Sequence, residues 1–313
     1  MAPTILIVGA TGNTGRSVVE TLPKLLETTK LASHRILALT RSVNSPSAQA
    51  LAKLPGVELA EQNWVEIDDV WLREHEVVRI FIAPHVQPNQ FAEEGQFYVN
   101  ALRAGVKYVV RISTAAPNIR PDIPAYYART HWAIETMLSE PEFKELHWTS
   151  LQPNIFMPLA LGPTAGFIKE FKKTGKQGPL SIILDTNTPT GMIDPYDIGV
   201  VAAHLLAQED TIAHNQAKYV LNGPEDVSGD QIVKMAEQYI GEPVKDVGFK
   251  DVSFVDQMAE NSSESKNVIR SIKHSLNAFW DGKGKAETTS KEILDLYAPR
   301  RTTAEVLRDL VEG

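Results

Sequence analysis

The chain has 313 residues, of which 43% are hydrophobic and 22% charged, with a net charge of −8 and no cysteine. Such a chain can form one large domain, or a core with a smaller appended part. Disulfides, cysteine nucleophiles and thiolate metal sites are excluded, and the negative charge argues against nucleic acid or an anionic membrane as the main partner. No apolar run is long enough to span a membrane, and the N-terminus lacks a basic n-region. The expectation is a soluble, cytoplasmic protein.

In chain order, an apolar β-branched run at Thr4–Val8 reads as a strand and meets three glycines at a spacing of three. Gly9 permits a tight turn, Gly12 a close approach of phosphate, and Gly15 close packing of helix on strand. The following helix carries Val18, Val19, Leu22, Leu25 and Leu26, and Pro23 is expected to kink or shorten it. Amides at such a helix start are unpaired and favour an anion. Strands are expected at Arg35–Thr40, Val57–Ala60, Val77–Ile82, Lys107–Ile112 and His147–Gln152. Helical patterns lie between them at 48–54, 67–75, 91–103 and 126–138. This βα alternation predicts an α/β fold, a doubly wound parallel sheet of the Rossmann type, over residues 1–155.

Past Gln152 the rhythm changes. Pro153, Pro158, Gly162, Pro163 and Gly166 read as breakers that open a smaller substrate region over 156–313, with only a short basic helix at Phe167–Lys173. A segment near 180–222 is expected to return to the core, with Lys218–Leu221 as a strand. Asp194 fits an N-cap, Pro195 the first helical position and Asp197 a first-turn acid, so both carboxylates read as structural. Ser228/Gln231, Thr289/Glu292 and Thr302/Glu305 each carry a capping-box signature. The polar stretch 257–290 reads as a surface segment or a mobile lid.

An acid after the second strand would bind the ribose 2′-hydroxyl of NAD; this chain has Arg41 there and no acid between Arg35 and Pro55. A guanidinium suits a 2′-phosphate, so Arg41 points to NADP(H), against the plainer alternative of a solvated loop arginine. Ser113 ends the fifth strand, where ligands of open parallel sheets bind. Tyr127 and His131 are four apart on one helix and share a face. The phenol needs a nearby cation to titrate near neutrality, and His131 supplies one only when protonated. In that case turnover should fall as pH rises through the pKa of His131. Otherwise Tyr127 simply packs and His131 only bonds the ribose. The other histidines are scattered, His85 after the fourth strand among them, and no metal site is assigned. Neither a G-x-S-x-G elbow nor a P-loop lysine is present.

With these residues placed, the chain resembles the NmrA-like members of the atypical short-chain dehydrogenase/reductases. The resemblance rests on GATGNTG at Gly9–Gly15, Arg41-Ser42, Ile112-Ser113-Thr114-Ala115, the run Thr130–Leu138, Leu151-Gln-Pro153-Asn154-Ile-Phe156, Ile193–Ile198 and Tyr219–Pro224. It implies NADPH held by Gly9, Thr11, Gly12, Asn13, Thr14 and Gly15, by Arg41 and Ser42, by Ala83 and Pro84, by His131, and by Asn154 and Phe156. Position 131 is similar to the lysine of isoflavone and phenylcoumaran-benzylic-ether reductases; histidine there resembles type-2 quinone oxidoreductases. The resemblance implies either of two activities. One is an NADPH-dependent reductase of a small carbonyl, quinone, imine or enone, with Tyr127, His131 and Ser113 as catalytic candidates. The other is a non-catalytic NADP(H) sensor that binds a protein partner.

Overall fold

The computed structural model describes residues 2–313. In chain order the elements are Thr4–Val8 (β1), Gly15–Leu26 (α1), Arg35–Thr40 (β2), Pro46–Leu51 (α2), Val57–Glu61 (β3) and Asp69–Glu74 (α3). Next come Val77–Ile82 (β4), Gln90–Ala104 (α4), Tyr108–Ile112 (β5), Tyr126–Leu138 (α5), His147–Pro153 (β6), Met157–Thr174 (α6) and Leu180–Ile182 (β7). Pro195–Leu206 (α7), Ala217–Leu221 (β8), Gly229–Ile240 (α8) and Val247–Phe249 (β9) follow. The chain closes with Ser253–Glu260 (α9), Lys266–Arg270 (α10), Asn277–Trp280 (α11), Lys291–Tyr297 (α12) and Thr303–Glu312 (α13).

Seven parallel strands form one sheet in the order β3-β2-β1-β4-β5-β6-β8. Both faces are covered, so β1, β4 and β5 carry nearly unbroken apolar runs rather than alternation. Ile5 and Ile7 face α1 and α7, whereas Leu6 and Val8 face α4 and α5. The order of strand addition reverses between β1 and β4, which opens a crevice above their carboxyl ends. The fold is a Rossmann-type α/β architecture. The chain beyond 156 contributes α7 and β8 to this body and builds a second core from α6, α8, α13 and the pair β7–β9.

Three local expectations are corrected. The supposed breakers do not break: α6 runs for 18 residues through Pro158, Gly162, Pro163 and Gly166. Pro158 sits in the first turn, where its missing N–H costs nothing. Pro163 gives up one bond, offset by burial of Ala160, Leu161, Ala165, Phe167 and Ile168 in the second core. Pro23 likewise does not shorten its helix, which continues to Leu26. Thr289 caps no helix; α12 starts after Ser290, and the Thr289 hydroxyl accepts from the Asn222 amide and donates to the Ala286 carbonyl instead. The boxes at Ser228/Gln231 and Thr302/Glu305 both form.

Two contacts fix α7, one to the turn before α13 and one to α1 of the N-terminal half. Asp194 caps α7 through Tyr196 N and also accepts from Arg301 Nε at 2.9 Å. Asp197 accepts the backbone N–H groups of Arg300 and Arg301 at 2.7 and 2.8 Å. Both acids are structural, and their second role is to hold the turn before α13. At the other contact, α7 meets α1 without any side chain at Gly199, where a Cβ would lie 2.0 Å from Ser17 Oγ and 2.2 Å from the Thr14 carbonyl oxygen. Gly162, inside α6, has open space around it. Gly199→Ala is therefore expected to destabilise the protein by about 1–3 kcal/mol through overpacking. Gly162→Ala is expected to stabilise it by roughly 0.5–1 kcal/mol through helix propensity. Urea-unfolding midpoints of the two variants check the contrast.

Candidate active site

The glycine turn is built by contact distance. Gly9 has φ +82, a conformation that L side chains rarely adopt. Gly12 N–H bonds the Gly9 carbonyl at 2.9 Å, and a Cβ on Gly15 would sit 2.1 Å from that same oxygen. Thr14, buried, precedes α1 without a side-chain cap; Arg16 N–H bonds the Gly12 carbonyl at 3.2 Å, and the remaining amides at the helix start can meet an anion. Asn13 is exposed beside them. A backbone cradle that a Cβ would fill, at a helix N-terminus and a strand-order reversal, fits a dinucleotide diphosphate.

A cleft of about 800 Å³ opens over this turn, lined by Gly9, Thr11, Gly12, Arg41, Ala83 and Pro84. Arg41 is exposed at its mouth and forms no ion pair among the described residues. Ser42 closes the bend after β2 through Thr40 Oγ1. The walls also include Glu61, Gln62, Asn63, Trp64, Glu66 and His85, which the sequence reading did not single out as a wall. Glu61 is an acid near the expected 2′ position, but it comes from β3, and its carboxylate accepts the Val43 N–H at 3.0 Å. His85 pairs with Glu93 and lies 5.4 Å from the Trp64 ring. The pattern of apolar strands gives no cue to this side of the cleft, because it is assembled from loops after β3 and β4.

Ser113, Tyr127 and His131 stand at the next strand end and do not line that cleft. The Ser113 hydroxyl donates to Glu135 Oε1 at 2.8 Å. Tyr127 and His131 share a face as expected, with ring centroids 6.3 Å apart. Burial raises the pKa of the Tyr127 phenol, partly opposed by the neighbouring Ser275 and Thr114. His131 is not the cation that the spacing allowed. Its Nδ1 is 2.9 Å from Arg111 Nη2, and burial followed by the Arg111 charge holds its pKa well below the ordinary histidine value. The imidazole is neutral, and the permanent positive charge lies one layer beneath it. Arg111 was visible in the strand run KYVVRI as a charged residue among apolar ones, a signal that the periodicity reading passes over.

Asn154 is buried, with its amide donating to Asn222 Oδ1 and the Gly284 carbonyl at 2.7 and 3.1 Å. Phe156 bridges to Ile193 and packs against the first core. The polar stretch 257–290 is not merely a surface strand of chain: it forms helices that bury Ala259, Ile269, Leu276 and Phe279. It reaches α5 through Ser271 Oγ, which accepts Tyr126 N–H, and the loop before α5 through the Ser275 carbonyl, which accepts from Asn118.

A model of the NmrA-like family matches residues 1–307. An NAD(P)H azoreductase of Xenophilus azovorans is 28% identical over 284 residues, covering 88% of this chain and 86% of that protein. The NADPH-dependent quinone oxidoreductase of Escherichia coli, solved with NADPH, has the same fold with a TM-score of 0.70 at 19% identity; 98% of this chain and 99% of that one align. So does NmrA, a negative transcriptional regulator, with a TM-score of 0.68 at 15% identity, covering 100% and 96%. No helix among the described residues is long and apolar enough to cross a membrane.

The neutral His131 has a thermodynamic consequence. Its pKa is depressed in the fold, as are those of His34, His204 and His214, in each case mainly through burial. Below about pH 6.5 the unfolded chain binds protons that the folded one refuses, so stability is lost as pH falls. Chemical denaturation between about pH 7.5 and 5.5 should show this loss, and His131→Gln should flatten the slope. An unchanged slope in that variant would count against a neutral buried imidazole.

Proposed function

The chain belongs to the NmrA-like family, and from that membership we propose that it is an NADPH-dependent reductase of a small, flat acceptor: a carbonyl, quinone, imine or enone. The observation that carries this reading is the Gly9–Gly15 cradle opening onto a cleft with an unpaired Arg41 at its mouth. The fit to a phosphorylated dinucleotide is one of shape and charge together. The uncapped N-terminus of α1 would take the diphosphate, and Arg41, in bidentate contact, the 2′-phosphate. Ala83 and Pro84 would form the wall that the dinucleotide crosses, leading it toward Ser113 and His131. The azoreductase relative makes an N=N bond a further acceptor to try.

When bound, NADPH supplies the hydride; the chain supplies orientation and a dry site. Tyr127 is poorly placed to give up a proton readily, since burial raises its pKa. The proton that completes reduction is therefore assigned to solvent, with Tyr127 as a hydrogen-bond donor. One observation favours the second reading, an NADP(H)-sensing regulator: Tyr127, Ser113 and His131 do not line the cleft over the glycine turn.

Two measurements separate the readings. NADPH oxidation across a panel of quinone, imine, enone and azo compounds should show turnover with at least one; tight NADPH binding with no turnover on any would favour the sensor. Arg41→Ala should weaken NADPH binding by roughly 10- to 100-fold, the worth of a charge-assisted contact, and leave NADH nearly unchanged. A retained preference for NADPH would remove Arg41 from the site.

A further inference from the structure

Arg111 is wholly buried near the end of β5, on the face covered by α4 and α5. Its Nε meets Glu94 Oε1 at 3.0 Å and the Tyr98 hydroxyl at 3.2 Å, and its Nη1 meets Ser150 Oγ at 3.0 Å. Its Nη2 meets both Glu94 Oε1 and His131 Nδ1 at 2.9 Å. A guanidinium has five N–H donors and no acceptor, and it stays protonated in proteins. The ring nitrogen it meets must therefore present a lone pair. That requirement excludes the imidazolium and the Nδ1–H tautomer at once, leaving the proton on Nε2. His131 Nε2 has no hydrogen-bond partner among the described residues, yet it is not one of the fully sealed, unpaired buried atoms.

The groups around the ring leave this assignment undisturbed. Arg111 faces it from β5, and Tyr127 faces it edge-on from the preceding turn of α5. Glu135, one turn further along α5, is taken up by Ser113, Ser150 and Gln152 and stands 3.7 Å from Lys218 Nζ on β8.

We propose that Arg111 is a positioning residue that locks His131 as a neutral imidazole, whose fixed Nε2–H is offered to an oxygen acceptor of the bound dinucleotide or of the substrate. His131 then polarises an oxygen lone pair without delivering a proton, and its role does not change between about pH 5.5 and 8. The ligand-facing half rests on the reductase reading; the tautomer does not.

The test uses the full-length protein labelled with 15N-histidine, with His131→Gln to assign the signal. Two-bond proton–nitrogen spectra are recorded over that pH range for the free protein, with NADP+, and with NADP+ plus menadione. The expected result is one histidine fixed as the Nε2–H tautomer at every pH. Its Nε2 should shift with NADP+ if the cofactor is the acceptor, or only after menadione if the substrate is. A titrating imidazolium or an Nδ1–H signal overturns the proposal, and an Nε2 unmoved by either ligand overturns its ligand-facing half. The charge-balanced double variant Arg111→Met/Glu94→Gln should release the tautomer, add an acid limb to the pH profile and lower kcat by about tenfold. A fall in melting temperature with the tautomer still fixed would mean that Arg111 is only structural. Should the double variant not fold, the wild-type spectra still decide the tautomer. Failure to oxidise NADPH would overturn the reductase reading alone, because the spectra need no turnover.

Discussion

A guanidinium buried inside a parallel strand is the constraint around which Ser113, His131 and Glu135 are arranged. Removing such an ion from water costs several kcal/mol, which only close opposite charge and complete hydrogen bonding can offset. Arg111 finds them in Glu94 of α4, Tyr98 one turn on, Ser150 of the neighbouring β6, and Glu135 of α5 at 3.7 Å. Four elements are thereby held in one register. Ser113 and His131 are each placed by a bond to a member of this set, so the site inherits its geometry from a buried charge.

The opposite face of the sheet is arranged by absence of side chains. Gly15 lies on the Gly9 carbonyl, and Gly199 lets α7 settle against Ser17 and Thr14. The N-terminus of α1, at the glycine turn, is thus held from below by β1 and from behind by a helix of the C-terminal half. Asp194 and Asp197 extend the same dependence to the turn before α13. The segment beyond 156 therefore supports the glycine turn as well as building its own core.

Much of the first half was legible because parallel strands covered on both faces must be apolar throughout and must be punctuated by turns. Thr4–Val8, Arg35–Thr40 and Val77–Ile82 were read with the bounds they have. The reading failed where a tertiary partner outweighed a local signal. Proline and glycine in α6 are tolerated because the helix buries a long apolar face. Thr289 turns to Asn222 because that buried amide needs partners more than an exposed helix end does.

The site divides in the same way. The glycine spacing, Arg41 and the shared face of Tyr127 and His131 follow from periods of a helix and of a strand, which any sequence displays. Protonation does not, since it depends on what lies within about 3 Å in space. Residues 111 and 131 are twenty apart in the chain, and only the packing of α5 over β5 sets one nitrogen against the other. The sequence by itself determined the strand–turn–helix receptacle and its fold, because those are written in local pattern. The tertiary structure alone decided the charge state at position 131, because a buried donor with no lone pair leaves its neighbour no choice.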